Sequence, residues 1–182
     1  DTSLYCALGY AYGADLRDSA ALKYYRMALD MSPDSALVRF HLGAYYDKIK
    51  KSSLAVSELR EAIRLDPKFS DAYNYLGYMY AEEGSNLDEA VALIKKAIEL
   101  EPDNGAYIDS LGWAYFQKGM TDEALIELER AVKLEPDDPT VREHMGDIYF
   151  KKAFLAQARA EWEKSLKLDP KQENVRKKLK SR

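Results

Sequence analysis

The chain has 182 residues, a length that fits one domain, and apolar and charged fractions of 47% and 32% match a globular protein with a sizeable core. A net charge of −4 argues against a nucleic-acid partner, whose phosphates require a basic surface. No apolar run is long enough to span a bilayer, no signal-peptide pattern is present, and the single cysteine, Cys6, excludes an intramolecular disulfide.

Helical patterns begin at Thr2 and recur to the end. Pro33, Pro67, Pro102, Pro136 and Pro170 stop apolar helices at intervals of 34, 35, 34 and 34 residues, the period of a helix–turn–helix array. Gly9, Gly43, Gly77, Gly112 and Gly146 keep the same register. A glycine inside a helix costs roughly 1 kcal/mol against alanine, so one in every unit implies close approach of a partner helix. In the fourth unit Gly112 is expected to meet Ala124, with Tyr115 and Leu128 filling the space around them. Helix starts are expected at Asp138-Pro139, at a capping box led by Asn86, and at Thr121, followed by the acids Asp122 and Glu123. The third unit carries one extra residue near Gly84-Ser85-Asn86. Glu173 to Arg182 reads as a charged terminal helix with Val175 and Leu179 on one side. The basic run from Arg176 to Arg182 reads as its solvated face. The first residue is Asp1, not Met, and Thr2 enters a helix at once. Further repeats or another domain are expected before it. Leu4, Leu8 and Tyr12 would otherwise present an uncovered apolar face that favours self-association.

Five units repeat one string of residue types. Unit four reads Ile108, Leu111, Gly112, Tyr115, Ala124, Leu128, Ala131 and Pro136; unit one reads Tyr5, Leu8, Gly9, Tyr12, Ala21, Tyr25, Ala28 and Pro33. In this the chain resembles the tetratricopeptide repeat. Arg39 and Arg142 stand where the family has an aromatic, and Ser165 where it has alanine, so these positions are expected to pack less tightly. The resemblance implies an all-α fold: a right-handed α-solenoid of five helix–turn–helix repeats in a single domain, 1–182. The repeats fall at about 2–35, 36–69, 70–104, 105–138 and 139–172, with a capping helix at 173–182. The text from Asn74 to Ala90, followed by that from Asp109 to Gly119, further resembles bacterial repeat proteins, some of them cell-envelope lipoproteins. That implies a periplasmic or outer-membrane-associated adaptor, with a cytoplasmic protein as the alternative.

Family arrays line their concave side with the first helix of each unit. The resemblance therefore implies a peptide-binding groove of Tyr10, Phe40, Asp47, Asn74, Tyr78, Glu82, Asp109, Trp113, Phe116, Glu143, Asp147 and Phe150. Its aromatic line and acids imply a protein or peptide ligand with apolar and basic residues. Asp109 and Glu143 argue against the cationic clamp by which some relatives grip a chaperone's carboxylate tail. His41 and His144 read as surface or packing histidines, and Cys6 as a small buried hydrophobe. No zinc-ligand spacing, glycine-rich phosphate loop or nucleophile elbow is present, so no cofactor, metal or catalytic role is expected. The function read from the sequence is an interaction scaffold; a self-assembling structural module is the alternative.

Overall fold

The computed structural model describes residues 1–180; Ser181 and Arg182, the end of the expected terminal helix and its basic run, lie outside the described residues. The described residues form eleven α-helices and no strand. They are α1 (Thr2–Ala14), α2 (Asp18–Met31), α3 (Ala36–Lys48), α4 (Ser52–Leu65), α5 (Ser70–Glu83), α6 (Leu87–Leu100), α7 (Gly105–Gln117), α8 (Thr121–Leu134), α9 (Pro139–Lys151), α10 (Leu155–Leu168) and α11 (Glu173–Lys180). The odd-numbered helices from α1 to α9 are called A helices below, and the even-numbered ones B helices. The chain divides into two compact units, Asp1–Leu76 and Gly77–Arg182.

The two kinds of helix start differently. Four A helices are capped by side chains: Asp1 accepts from Ser3 N, Ser35 from Val38 N, Asn104 from Tyr107 N, and Asp138 from Thr140 N and Val141 N, with Pro139 in the first turn. The expected start at Asp138-Pro139 is therefore present. The B helices have no such cap. Met120 holds the N-cap position that Thr121 was expected to fill, and Thr121 is the first helical residue. Asn86 is an N-cap, but its left-handed backbone (φ 47°) leaves its side chain without a capping bond. The cause lies in how each A helix ends. The N–H groups of Arg17, Lys51, Ser85, Met120 and Phe154 reach back to the carbonyls of Tyr12, Tyr46, Tyr80, Tyr115 and Tyr149 at 2.8–3.0 Å. This is the six-to-one bond of a Schellman ending, which requires a left-handed residue in the turn. Gly84 and Gly119 adopt that conformation freely; Leu16, Lys50 and Ala153 adopt it with φ of 58°, 59° and 63° despite their side chains.

Within the first unit α1 packs on α2 and α3 on α4, with Ala21, Tyr25, Leu42 and Tyr45 in a buried cluster. Within the second, α7 packs on α8 and α9 on α10 around Ile108, Leu128, Val141, Met145 and Ile148. A smaller cluster of Ala158, Trp162 and Val175 seats α11 against α10. The helix glycines do mark the close approaches, but the partner differs from the one expected. A Cβ on Gly112 would overlap Leu128 Cδ2, while Ala124 offers only its carbonyl, at 3.3 Å. The residue over each glycine comes sixteen positions later, as in Gly9–Tyr25 and Gly43–Leu59. In the third hairpin it comes seventeen later, at Ile94, because of the extra residue.

Arg39, Arg142 and Ser165 are not loose. Arg39 pairs with Glu58 at 2.8 Å and reaches Pro33 O; Arg142 pairs with Glu161 at 2.9 Å and donates to Pro136 O through two nitrogens. A guanidinium thus satisfies the carbonyl that the terminating proline leaves at the hairpin junction. Ser165 is fully buried and donates to Pro139 O at 2.7 Å.

Candidate functional site on the A-helix faces

In the first unit the faces of α1 and α3 enclose two adjoining cavities, of ≈ 160 Å³ and ≈ 630 Å³, that share Tyr10 and His41. Tyr10 is 72% exposed and stands at their common mouth. Tyr25, Tyr45 and Lys48 line the smaller cavity, and Cys6 the larger. Lys48 Nζ donates to Gly13 O at 2.7 Å, and Tyr45 OH to Asp18 at 2.6 Å. Burial lowers the His41 pKa, so its imidazole is neutral at pH 7, and burial raises that of the Cys6 thiol. Two of the other residues expected in the groove here, Phe40 and Asp47, are tied into the fold. Phe40 packs on Phe69 and Tyr75 with ring centroids 5.1 and 5.7 Å apart, and Asp47 accepts from Tyr75 OH at 3.1 Å. Asn74 is half-buried, with its Oδ1 enclosed and without a hydrogen-bond partner.

In the second unit three of the four expected acids, Asp109, Glu143 and Asp147, are internally compensated. Asp109, on α7, is 5% exposed, and both its oxygens lie 3.0 Å from His144 Nδ1 on α9. Burial acts against the imidazolium, but the charge and hydrogen bond of Asp109, with Asp147 and Glu143 behind it, outweigh that effect and raise the His144 pKa. His144 also meets two rings: Trp113 stacks on it at 4.2 Å and 12°, and Tyr78 lies tilted to it at 6.4 Å. Trp113 stacks on Phe116 in turn, at 5.2 Å. The indole Nε1 of Trp113 is buried without a hydrogen-bond partner. Lys178, on α11, reaches Glu143 and Asp147 at 2.6 Å each, and Trp162 Nε1 donates to Asp147 at 3.0 Å. Asp147 nonetheless has a raised pKa, because burial outweighs these contacts. Glu82 stays exposed and holds the Tyr78 hydroxyl, whose pKa is raised first by burial and then by Glu82 and Asp109. Phe150 is half-buried beside a ≈ 190 Å³ cavity that Leu155, Arg159, Trp162, Lys178 and Leu179 also line.

Of the residues expected in the groove, Tyr10 and Glu82 are exposed, Phe40, Asp47, Asn74, Tyr78, Trp113, Phe116, Glu143, Asp147 and Phe150 keep part of their surface, and Asp109 is buried. Asp109 is an interior residue, on a helix face covered by α9, where its ion pair with His144 offsets the cost of burying a carboxylate. His41, His144 and Lys178 were missed as site residues. A signal for two of them exists in the chain: Asp109–His144 and Glu143–Lys178 are both acid–cation pairs 35 residues apart.

Successive helical hairpins, each closed by a tyrosine carbonyl and a left-handed turn, define an α-helical repeat protein of the solenoid class. Profiles of the tetratricopeptide repeat match residues 36–69 and 58–92, a further TPR-repeat profile matches residues 112–153, and the chain belongs to the tetratricopeptide-repeat family. Small glutamine-rich tetratricopeptide repeat-containing protein 2 of Mycosarcoma maydis is 31% identical over 85 residues, 47% of this chain and 24% of that protein. A TPR repeat-containing protein of Pseudomonas aeruginosa is 40% identical over 72 residues, 38% of this chain and 12% of that one. The chain therefore spans less than a quarter of the length of these relatives. A thermophilic TPR protein of Thermus thermophilus superposes with a TM-score of 0.85 at 23% identity, covering 100% of this chain and 98% of that one. That likeness is one of fold.

Proposed function

We propose that the chain is a protein-interaction scaffold that holds a peptide segment or protein surface on its A-helix faces. The observation that carries this reading is the pair of adjoining cavities between α1 and α3, with Tyr10 exposed at their mouth. An exposed tyrosine over apolar walls is the kind of anchor that dominates interface energies. Lined by Gly13, Ala14, Tyr25, Ala44 and Tyr45, the smaller cavity suits an apolar side chain. In the second unit Trp113, Phe116 and Phe150 offer aromatic surface, and Glu82 is the acid positioned to meet a basic residue of the partner. Binding then weakens with salt, since an exposed carboxylate is screened.

The test is a photo-crosslinking residue placed at Tyr10 and, separately, at exposed Ile126 on α8. Partner captured from Tyr10 and not from Ile126, with capture lost when His41 is replaced by Trp to fill the cavities, supports the reading. Equal capture from both positions refutes it. Self-assembly is the second reading, and exposed Leu4 on α1 favours it. Tyr12, expected to share that uncovered face, instead stacks on Tyr24 within its own hairpin at 5.1 Å, so the apolar patch is smaller than the sequence implies. Sedimentation of Leu4→Glu against the unsubstituted chain decides it.

A further inference from the structure

We propose that the α7–α9 junction is a proton-operated latch: charged His144 is clamped by Asp109 and holds the Trp113 indole in its stack, and loss of that proton to solvent loosens the clamp and frees the indole. The inference rests on the scaffold reading only in making Trp113 part of a binding face; the latch stands by itself.

The geometry supplies each part. His144 Nδ1 is 3.0 Å from both Asp109 oxygens, and the two side chains are 6% and 7% exposed. A hydrogen bond from a charged donor to a carboxylate is roughly twice as strong as a neutral one. Deprotonation weakens the bond and leaves Asp109 as a buried carboxylate with no countercharge, a costly arrangement. The indole–imidazole stack at 4.2 Å responds to the same proton, because an imidazolium is drawn to an indole face as a cation and a neutral ring is not.

Every charged neighbour favours the protonated latch or is itself neutralised. Asp109 faces His144 from α7, and Tyr78 from α5 through its ring. Glu143 and Asp147 flank it on α9, and Lys178 from α11 bonds to both of them. The sign follows from the raised pKa of His144 in the fold. Stabilisation is complete below the unfolded imidazole value of about 6.5 and is lost as pH rises through the higher folded value. His41 titrates in the opposite sense, since burial lowers its pKa.

Three readouts on the whole chain test the latch. The imidazole NMR signal of His144, assigned by its survival in His41→Gln, is expected to titrate with a midpoint above about 6.5. Tryptophan emission is expected to rise through the same midpoint, as the imidazolium that quenches Trp113 disappears, and Trp113→Phe is expected to abolish that rise while Trp162 still emits. Between about pH 6.5 and 8, below the range in which the half-buried Cys6 thiol adds its own slope, thermal melts of the unsubstituted chain are expected to fall and those of His144→Gln to stay level. A His144 midpoint at or below 6.5, a rise that persists in Trp113→Phe, or an unchanged pH slope in His144→Gln overturns the latch. The NMR and emission readouts need no folded His144 variant. The crosslink at Tyr10 reports on the scaffold reading separately.

Discussion

Replacing Gly112 with alanine tests whether the repeating glycines are steric necessities. Alanine is favoured over glycine by about 1 kcal/mol inside a helix, so on propensity alone the variant is more stable. The packing opposes this. The new Cβ overlaps Leu128 Cδ2 and lies 3.2 Å from Leu128 Cγ and 3.3 Å from Ala124 O, and Leu128 is 0% exposed, so its side chain must shift among buried neighbours. Overpacking of this kind costs about 1–3 kcal/mol, which leaves a net loss of about 1. Leu128→Val removes the obstructing methyl at a cost of about 1 kcal/mol. In that background Gly112→Ala becomes neutral or stabilising, so the double-mutant cycle shows a coupling of about 1–2 kcal/mol. Urea unfolding of the four proteins measures it. A Gly112→Ala chain as stable as the parent, or an equal penalty with Leu128→Val present, refutes the steric account.

Ala153→Gly relieves a left-handed backbone that costs an L-residue about 1–2 kcal/mol, less about 0.4–1 for the freer unfolded chain, so its Tm rises by about 2 °C while Gly119→Ala lowers it. Trp113→Ala costs about 3 kcal/mol because it strips the ring from His144 as well as from Phe116, whereas Tyr10→Ala leaves thermal stability within about 0.5 kcal/mol; calorimetry separates the two. Arg142→Met loses its charged bonds to Glu161 and Pro136 O, about 1–2 kcal/mol after allowing that Glu161 keeps Lys164, and an unchanged urea midpoint counts against the role given to that guanidinium.

The helical architecture was legible because period and breaker residues act locally: proline cannot stand in a helix interior and so marks a boundary, and a glycine every repeat marks an approach. Which residue covers the glycine was not, since Ala124 and Leu128 lie on the same face of α8 and only packing decides between them. Caps were half legible. Asp138 with Pro139 is a self-contained signal, but Thr121 and Asn86 were misread because the preceding helix, through the Tyr115 and Tyr80 carbonyls, fixes those turns. The site was the least legible. Helix periodicity puts Asp109 and Trp113 on one stripe, yet α9 covers much of that stripe and turns both into partners of His144. Arg142 was misread for the opposite reason: a long polar side chain in an aromatic's place finds a carbonyl and a carboxylate within its reach.

The pairs 35 residues apart also bear on how such an array can be shuffled. If recombination removed residues 139–172, α11 would follow α8 and Lys178 would come to face Asp109, so opposite charges would still meet across the new seam. A duplication of residues 105–138 has no such luck: the first copy's Asp109 would face the second copy's Ser110, and a buried carboxylate would lose its cation. The array therefore tolerates shortening at this end better than lengthening, and the hairpins, alike in outline, are not free to trade places.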